Sequence, residues 1–277
     1  MGTLYLIATP IGNLEDITLR AVRLLGEVSL IAAEDTRQTH KLLEHYQVKT
    51  RLTSYYEHNK LQKVDAILSA LESGDVALVS DAGTPALNDP GFELVRAALA
   101  AGFQVSPVPG PSAPVAALVA SGLPTAAFLY LGYLPRKSSE RRRWLAQVAE
   151  LPYTLIFLEA PHRLLAALED LRLVLGNRPA AVARELTKRF EEIQRGLLAE
   201  IAEYFKENPP RGEFTLVVAG KSTPEIEWDA AKIEQALMEG LAEAATPAQL
   251  AAQLAQRSGW PRRKVYDMLL ELQKKAG

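Results

Sequence analysis

Along the first half of the chain, short apolar runs alternate with stretches whose apolar residues recur at helical spacing. The runs at 5–8, 28–33, 76–79 and 104–108 predict strands. Val64, Ile67, Leu68 and Leu71 predict a helix between two of them, and Gly74 stands where a helix-ending glycine belongs. Another helix is expected to open at Asp89-Pro90, an N-cap followed by proline, and to close near Gly102. Strand–helix–strand units of this length imply right-handed crossovers and a mostly parallel sheet.

The pattern breaks at 121–126, SGLPTA, which reads as a hinge, and then resumes. Strands are predicted at 128–131, 154–158, 180–183 and 214–218. A helix beginning at Pro161 carries Leu164, Leu168, Leu171 and Leu175, with Gly176 just past its end. After about Ser222 the strand signals vanish. A helix over roughly 230–242, one capped by Thr246 with Pro247 in its first turn, and one opened by Pro261 then predict a small helical appendage. The expected fold class is α/β. It comprises an N-terminal domain with a parallel sheet over 1–121, a second α/β domain with a mixed sheet over 122–222, and a helix-turn-helix-like appendage over 223–277.

Composition narrows the chemistry. The 277 residues are 48% hydrophobic, enough for two ordinary cores, and the net charge of −2 gives no global attraction to polyanions. Any nucleic-acid binding must therefore use local basic patches. The absence of cysteine excludes disulfides, thiolate nucleophiles and Cys-bearing zinc sites. The first residues lead straight into a strand with no leader pattern, and no apolar stretch approaches a membrane span. A cytoplasmic protein with no membrane partner is expected.

In doubly wound sheets, ligands bind beyond the carboxyl ends of strands. Three such ends here are rich in glycine and proline: ATPIGN at 8–13, SDAGTPALNDPG at 80–91 and PVPGPSAP at 107–114. Any one of them fits an ordinary tight turn, but three at corresponding positions predict one shared ligand site. No G-x-G-x-x-G is present, and the GKS at 220–222 lacks a phosphate loop's first glycine, because position 215 is Thr215. The four histidines lack metal-ligand spacing, so no metal is expected. Turns of this kind suit an uncharged adenosine with a zwitterionic tail, and S-adenosylmethionine is one such molecule.

Charged residues mark further strand ends. Glu34, Asp35 and Arg37 follow one strand, either as site chemistry or as a helix cap with a surface ion pair. Glu159, His162 and Arg163 follow another, and Arg184, Glu185, Thr187, Lys188 and Arg189 a third. The run PRKSSERRRW sets Arg136, Lys137, Arg141, Arg142 and Arg143 against Glu140, between Tyr133 and Trp144, and is the strongest phosphate-binding candidate. Arg257, Arg262, Arg263 and Lys264 surround the break between the last two helices, a possible nucleic-acid docking element.

The motifs ATPIGNLEDITLRA, AEDTR, VSDAGTPALNDPG, PGPSA, FLEAPHR and RELTK, in this order over about residues 3–221, resemble the tetrapyrrole methylase superfamily. Within it they resemble the branch that modifies small-subunit ribosomal RNA. The resemblance implies two α/β domains with S-adenosylmethionine in the cleft between them, and a homodimer. It further implies methyl transfer to the ribose 2′-hydroxyl of a cytidine in the decoding region of 16S rRNA, within the 30S subunit. The implied cofactor contacts are Pro10, Asp81, Gly83, Thr84, Ser112, Ala113, Glu159, Ala160 and Leu186. A ribose hydroxyl is a weak acid, so a general base is expected. Asp35 and Glu185 are the candidates, with Arg37 and Lys188 as electrostatic partners or phosphate holders. Two alternatives stay open: a porphyrinoid methyltransferase on the same fold, and an RNA-binding assembly factor without chemistry. The basic run and the appendage argue against the first, and the intact turns against the second.

Overall fold

The structure, a computed structural model, describes residues 2–222, 228–242 and 246–276, and the side chain of Arg257 lies outside that description. The chain divides into two compact units, Met1–Lys221 and Ser222–Gly277.

The first unit holds two five-stranded sheets. One is built from β1 (Thr3–Ile7), β2 (Leu30–Ala33), β3 (Leu52–Ser54), β4 (Val76–Val79) and β5 (Gln104–Val108). All its pairings are parallel, in the order β3-β2-β4-β1-β5. Its central strand β4 reads Val-Ala-Leu-Val and is buried throughout, as a parallel strand covered on both faces must be. Helices α1 (Leu19–Glu27) and α2 (Thr36–His45) bring Leu24, Leu25 and Leu43 against Ile7, Ile31 and Val79. Helices α3 (Lys60–Ser73) and α4 (Phe92–Ala100) bring Ile67, Leu71 and Leu94 against Leu4, Val76 and Leu78.

Helix α5 (Ala113–Ser121) starts in the third glycine–proline turn but packs on the second sheet, where Ala117 and Leu118 meet Ile156, Ala181 and Val217. The hinge expected at 121–126 follows the helix that joins the two halves.

The second sheet contains β6 (Phe128–Tyr133), β7 (Thr154–Glu159), β8 (Pro179–Arg184), β9 (Glu192–Leu197) and β10 (Phe214–Val218), in the order β6-β7-β10-β8-β9. Only the β6–β7 pairing is parallel, so the sheet is mixed. Strand β9 escapes a reading by hydrophobic pattern, because Glu-Ile-Gln-Arg-Gly-Leu lies on an edge and offers no apolar run. Helices α6 (Ser138–Ala146), α7 (Leu164–Leu175) and α8 (Leu198–Glu207) cover the other face, with Leu145, Leu168 and Ile201 against Phe157, Leu216 and Val218.

Two helix starts differ from expectation: a 3-10 turn over Pro161–Arg163 precedes α7, which begins at Leu164 rather than Pro161. Helix α4 begins at Phe92 rather than at Pro90. Ala86 and Asn88 adopt left-handed backbone, with φ of 67° and 65°, so the chain is still turning when it reaches Asp89. Gly91 rather than Asp89 is therefore the N-cap of the helix, and no side chain caps it.

The second unit is a helical cluster of α9 (Ala230–Ala242), α10 (Pro247–Ser258) and α11 (Arg262–Ala276). Ile233, Leu237, Leu250, Leu254, Val265 and Leu269 form its core. The break between the last two helices is the left-handed Gly259 that ends α10.

Candidate functional site

The three glycine–proline turns are fastened to one another. Thr9 and Gly83 exchange backbone hydrogen bonds of 2.9 and 3.0 Å, joining the first turn to the second. The Thr9 hydroxyl donates to the Ser80 carbonyl at 3.1 Å, and the Thr84 hydroxyl to the Pro111 carbonyl at 3.4 Å, joining the second turn to the third. These contacts form one wall at the carboxyl ends of β4, β1 and β5, the place an open parallel sheet offers a ligand.

The opposite wall comes from the second sheet. Glu185 and Thr187, in the turn after β8, adopt left-handed backbone with φ of 50° and 65°. A Cβ at Gly212 would lie 2.2 Å from Glu185 Oε1, so this glycine, itself at φ +74°, leaves room for that carboxylate. A Cβ at Gly12 would lie 2.5 Å from Lys188 Cγ and 2.9 Å from the Leu186 carbonyl oxygen. The lone glycine of the first turn thus lets the turn after β8 close over it.

Between the walls lies a cleft of roughly 720 Å³, lined by Asp81, Gly83, Thr84, Ser112, Ala113, Glu185, Leu186 and Lys188 of the expected residues. It is also lined by Glu34, offered from sequence as possible site chemistry, by Asp89 of the second turn, and by Tyr130, Tyr133, Gly212 and Glu213, which the sequence did not offer as site residues. The volume falls in the range of small-molecule and cofactor sites. Five carboxylates (Glu34, Asp81, Asp89, Glu185 and Glu213) face one ammonium, Lys188, among the described lining residues.

Burial pushes the carboxyls of Glu34, Asp81 and Asp89 up from the ordinary range, because charge is costly in a partly dry cleft. Burial also pushes the phenols of Tyr130 and Tyr133 up to about 12. The Tyr133 hydroxyl donates to Glu213 at 3.4 Å, and Lys188 pairs with Glu185 at 2.9 Å.

Several expected residues are engaged elsewhere. Asp35 is a helix cap and ion-pair partner and does not line the cleft. Its carboxylate accepts from the Arg37 backbone at 2.8 Å and pairs with the Arg37 guanidinium at 2.7 Å. The side-chain bond from Arg37 holds that carboxyl down at about 2. Arg37 is thereby turned to the surface. The residue before Asp35, Glu34, is the one that lines the cleft. Pro10 precedes the cleft-lining Ile11. The Glu159 side chain is fully buried, accepting from the Ala160 amide at 2.8 Å and from Arg163 at 3.0 Å, while neighbouring Leu158 and Pro161 line the cleft.

The basic run divides in the same way. Arg141 is 3% exposed, so it is a structural residue rather than an RNA contact. It binds Asp170 at 2.5 Å and also donates to the carbonyls of Pro135, Arg136 and Ala166. Arg142 takes the other Asp170 oxygen at 2.6 Å. Arg136, Lys137 and Arg143 remain exposed. In the second unit Arg262, Arg263 and Lys264 are exposed at the start of α11, with the Lys264 ammonium 4.3 Å from the Trp260 ring centre.

The family Tetrapyrrole (Corrin/Porphyrin) Methylases matches residues 3–202. A "Ribosomal RNA small subunit methyltransferase I" from a Synechocystis strain is 48% identical over 277 residues, covering 99% of each chain. One from Halalkalibacterium halodurans is 47% identical over 272 residues, covering 96% of this chain and 94% of its own. Among solved structures, diphthine synthase superposes with a TM-score of 0.62 at 14% identity, covering 80% of this chain and 91% of that one. A Thermus thermophilus uroporphyrin-III C-methyltransferase complexed with S-adenosyl homocysteine gives 0.55 at 23%, covering 79% and 97%. These structures share the fold of two sheets meeting at a cleft. The paired sheets, the fastened turns and the end-to-end sequence matches have one reading: this chain belongs to the tetrapyrrole methylase family.

Proposed function

We propose that the chain uses S-adenosylmethionine to methylate the ribose 2′-hydroxyl of a cytidine in the decoding region of 16S rRNA. The substrate would be the 30S subunit, and the enzyme would act as a cytoplasmic homodimer. The observation that carries the reading is the charge of the cleft, five carboxylates against one lysine between two walls of backbone-rich turns. A donor of net positive charge, whose sulfonium and ammonium outweigh its one carboxylate, is attracted there. The relatives' name, over nearly the whole chain, supports an rRNA substrate.

S-adenosylmethionine, when bound, supplies a methyl group from its sulfonium sulfur, and the sulfur leaves as a neutral thioether. No charge therefore has to be stabilised on the leaving group, and the residues have two tasks. The first is positioning. The wall formed by Asp81, Gly83, Thr84, Ser112 and Ala113, with Leu186 opposite, would hold the donor so that a hydroxyl approaches in line, about 3–3.5 Å from the methyl carbon. The second is proton removal. Glu185 is the proposed base, since of the two carboxylates expected from sequence it is the one that lines the cleft. Lys188, 2.9 Å away, would orient the Glu185 carboxylate and steady the negative charge building on the attacking oxygen.

Mapping ribose 2′-O-methylation in 16S rRNA from cells lacking the protein, with and without complementation, tests the reading. One missing cytidine methyl restored by the wild-type gene is expected. An unchanged rRNA map, together with methylation of an added porphyrinoid, would replace it with the small-molecule alternative.

A further inference from the structure

The second sheet presents one end to the cleft. Its register aligns Tyr133 with Leu158, Glu159 with Phe214, Phe214 with Arg184, and Arg184 with Glu192. The carboxyl ends of β6, β7 and β8 and the amino ends of β10 and β9 therefore share one rim. At about 4.8 Å per strand spacing, five strands make a rim about 19 Å long.

Cations stand along that rim. Arg136 and Lys137 follow β6, Arg211 precedes β10, and Lys188 and Arg189 occupy the turn between β8 and β9. Arg136, Lys137, Lys188, Arg189 and Arg211 are all exposed. Lys137 approaches Glu140 at 3.4 Å and Lys188 is held by Glu185, but Arg136, Arg189 and Arg211 form no ion pair among the described residues. The acids nearby are engaged: Glu191 accepts from the Thr187 amide, Glu192 pairs with Arg184, and Glu213 accepts from Tyr133.

Beside these cations is Phe190, 73% exposed, with the Arg189 guanidinium 5.6 Å from its ring centre. An isolated exposed apolar residue is ordinary. A phenylalanine two residues from a cleft-lining lysine, at the end of a row of free arginines, has the makeup of a single-strand binding groove: phosphate contacts plus a stacking face.

We propose that this rim is the track for an unpaired stretch of the RNA substrate. Arg136, Arg211 and Arg189 would hold successive phosphates, and Phe190 would stack on the base beside the target nucleotide. This rests on the proposed RNA substrate and adds three residues, Arg189, Phe190 and Arg211, to its recognition. The strand must be unpaired because a base within a duplex has no free face for Phe190.

The full chain carrying Phe190→Ala, Phe190→Trp, Arg189→Gln or Arg211→Gln would be titrated, over a range of salt, with a ten-nucleotide unpaired RNA, its duplex and 30S subunits. Arg189→Gln and Arg211→Gln are each expected to flatten the log K versus log salt slope by about 0.7. Phe190→Ala is expected to weaken single-strand binding about tenfold with the slope unchanged, and Phe190→Trp to restore it. For 30S methylation, KM should rise in the three weakening variants with little change in kcat. S-adenosylmethionine affinity, measured by calorimetry, confirms that each variant is folded. Wild-type affinity and slope in all three would overturn the track while leaving the proposed reaction standing. Equal loss on duplex and single strand would overturn stacking. A wild-type enzyme with no salt-steep RNA binding would instead remove the reading on which the track rests.

Discussion

Gly12 lies directly beneath the aliphatic stem of Lys188: a Cβ on the glycine would sit 2.5 Å from Lys188 Cγ and 3.0 Å from its Cε. The first turn of one sheet and the turn after β8 of the other are therefore packed without space for one more carbon. This glycine permits close approach between two pieces of protein, not the convergence of amides on a phosphate.

Gly12→Ala should consequently act across the cleft. Overpacking of this kind costs about 1–3 kcal/mol. We expect weaker S-adenosylmethionine binding and slower methylation, because Lys188 and the Leu186 carbonyl must both shift. In the Lys188→Ala background the added methyl should cost less, since one of the two clashing groups is gone. A double-mutant cycle on calorimetric affinity and single-turnover rate checks this, and strict additivity would refute the contact.

The two base candidates should separate kinetically. Asp35→Ala removes a helix cap and is expected to cost about 1 kcal/mol of stability while largely sparing the single-turnover rate. Glu185→Gln should slow that rate by about 100-fold or more at saturating cofactor. Rapid-quench measurement of methyl transfer to 30S subunits distinguishes them, and an unslowed Glu185→Gln enzyme would leave positioning to carry the rate.

Acidification should move stability and cofactor binding in opposite directions. Glu34, Asp81 and Asp89 have carboxyls raised by burial, so the folded protein takes up protons above the pH at which the unfolded chain does. Their contribution to stability is thus unfavourable at neutral pH and improves as pH falls through the raised values. Affinity for a cationic donor should fall over the same window as the cleft loses negative charge. Asp89→Asn should raise Tm and weaken binding at pH 7.5, and should blunt both pH trends. Thermal melts and calorimetry between pH 7.5 and 5 read the two effects.

Arg141→Ala and Arg143→Gln should fail in different ways. Removing Arg141 takes from buried Asp170 one of its two arginines while Arg142 and Ser138 remain, so the loss should stay below the about 3–5 kcal/mol of a buried charge left wholly unpaired. Burial alone would raise the Asp170 carboxyl, but bonds from Arg142, Ser138 and Arg141 outweigh it and hold the group below the ordinary carboxylate range. The stability this network contributes is therefore present at neutral pH and lost as pH falls through that lowered value. Arg143→Gln should leave Tm unchanged and reduce the salt dependence of RNA binding. Denaturation and filter-binding titrations give the contrast.

Much of the fold was legible in the chain. Buried parallel strands such as β4 announce themselves as apolar runs, helix ends as Gly74 and Gly176, and the cleft's first wall as three glycine–proline turns. These are local signals, set by backbone sterics and by the period of burial within one element. What lay outside them depends on where a side chain points after elements pair. Glu34 and Asp35 are neighbours in sequence, yet one lines the cleft and the other caps a helix, because consecutive residues leaving a strand face opposite ways. Arg141 and Arg143 share a basic run, yet successive helix positions differ by about 100° and only Arg141 turns inward to Asp170. Glu213 reaches the cleft only because β10 runs antiparallel between β7 and β8, delivering its amino end where its neighbours deliver their carboxyl ends. The sequence by itself determined most of the buried strands, several helix ends, the glycine–proline turns and the family resemblance. Sheet order, strand direction and helix rotation decided which charges meet, because those are properties of pairs of elements and no single segment carries them.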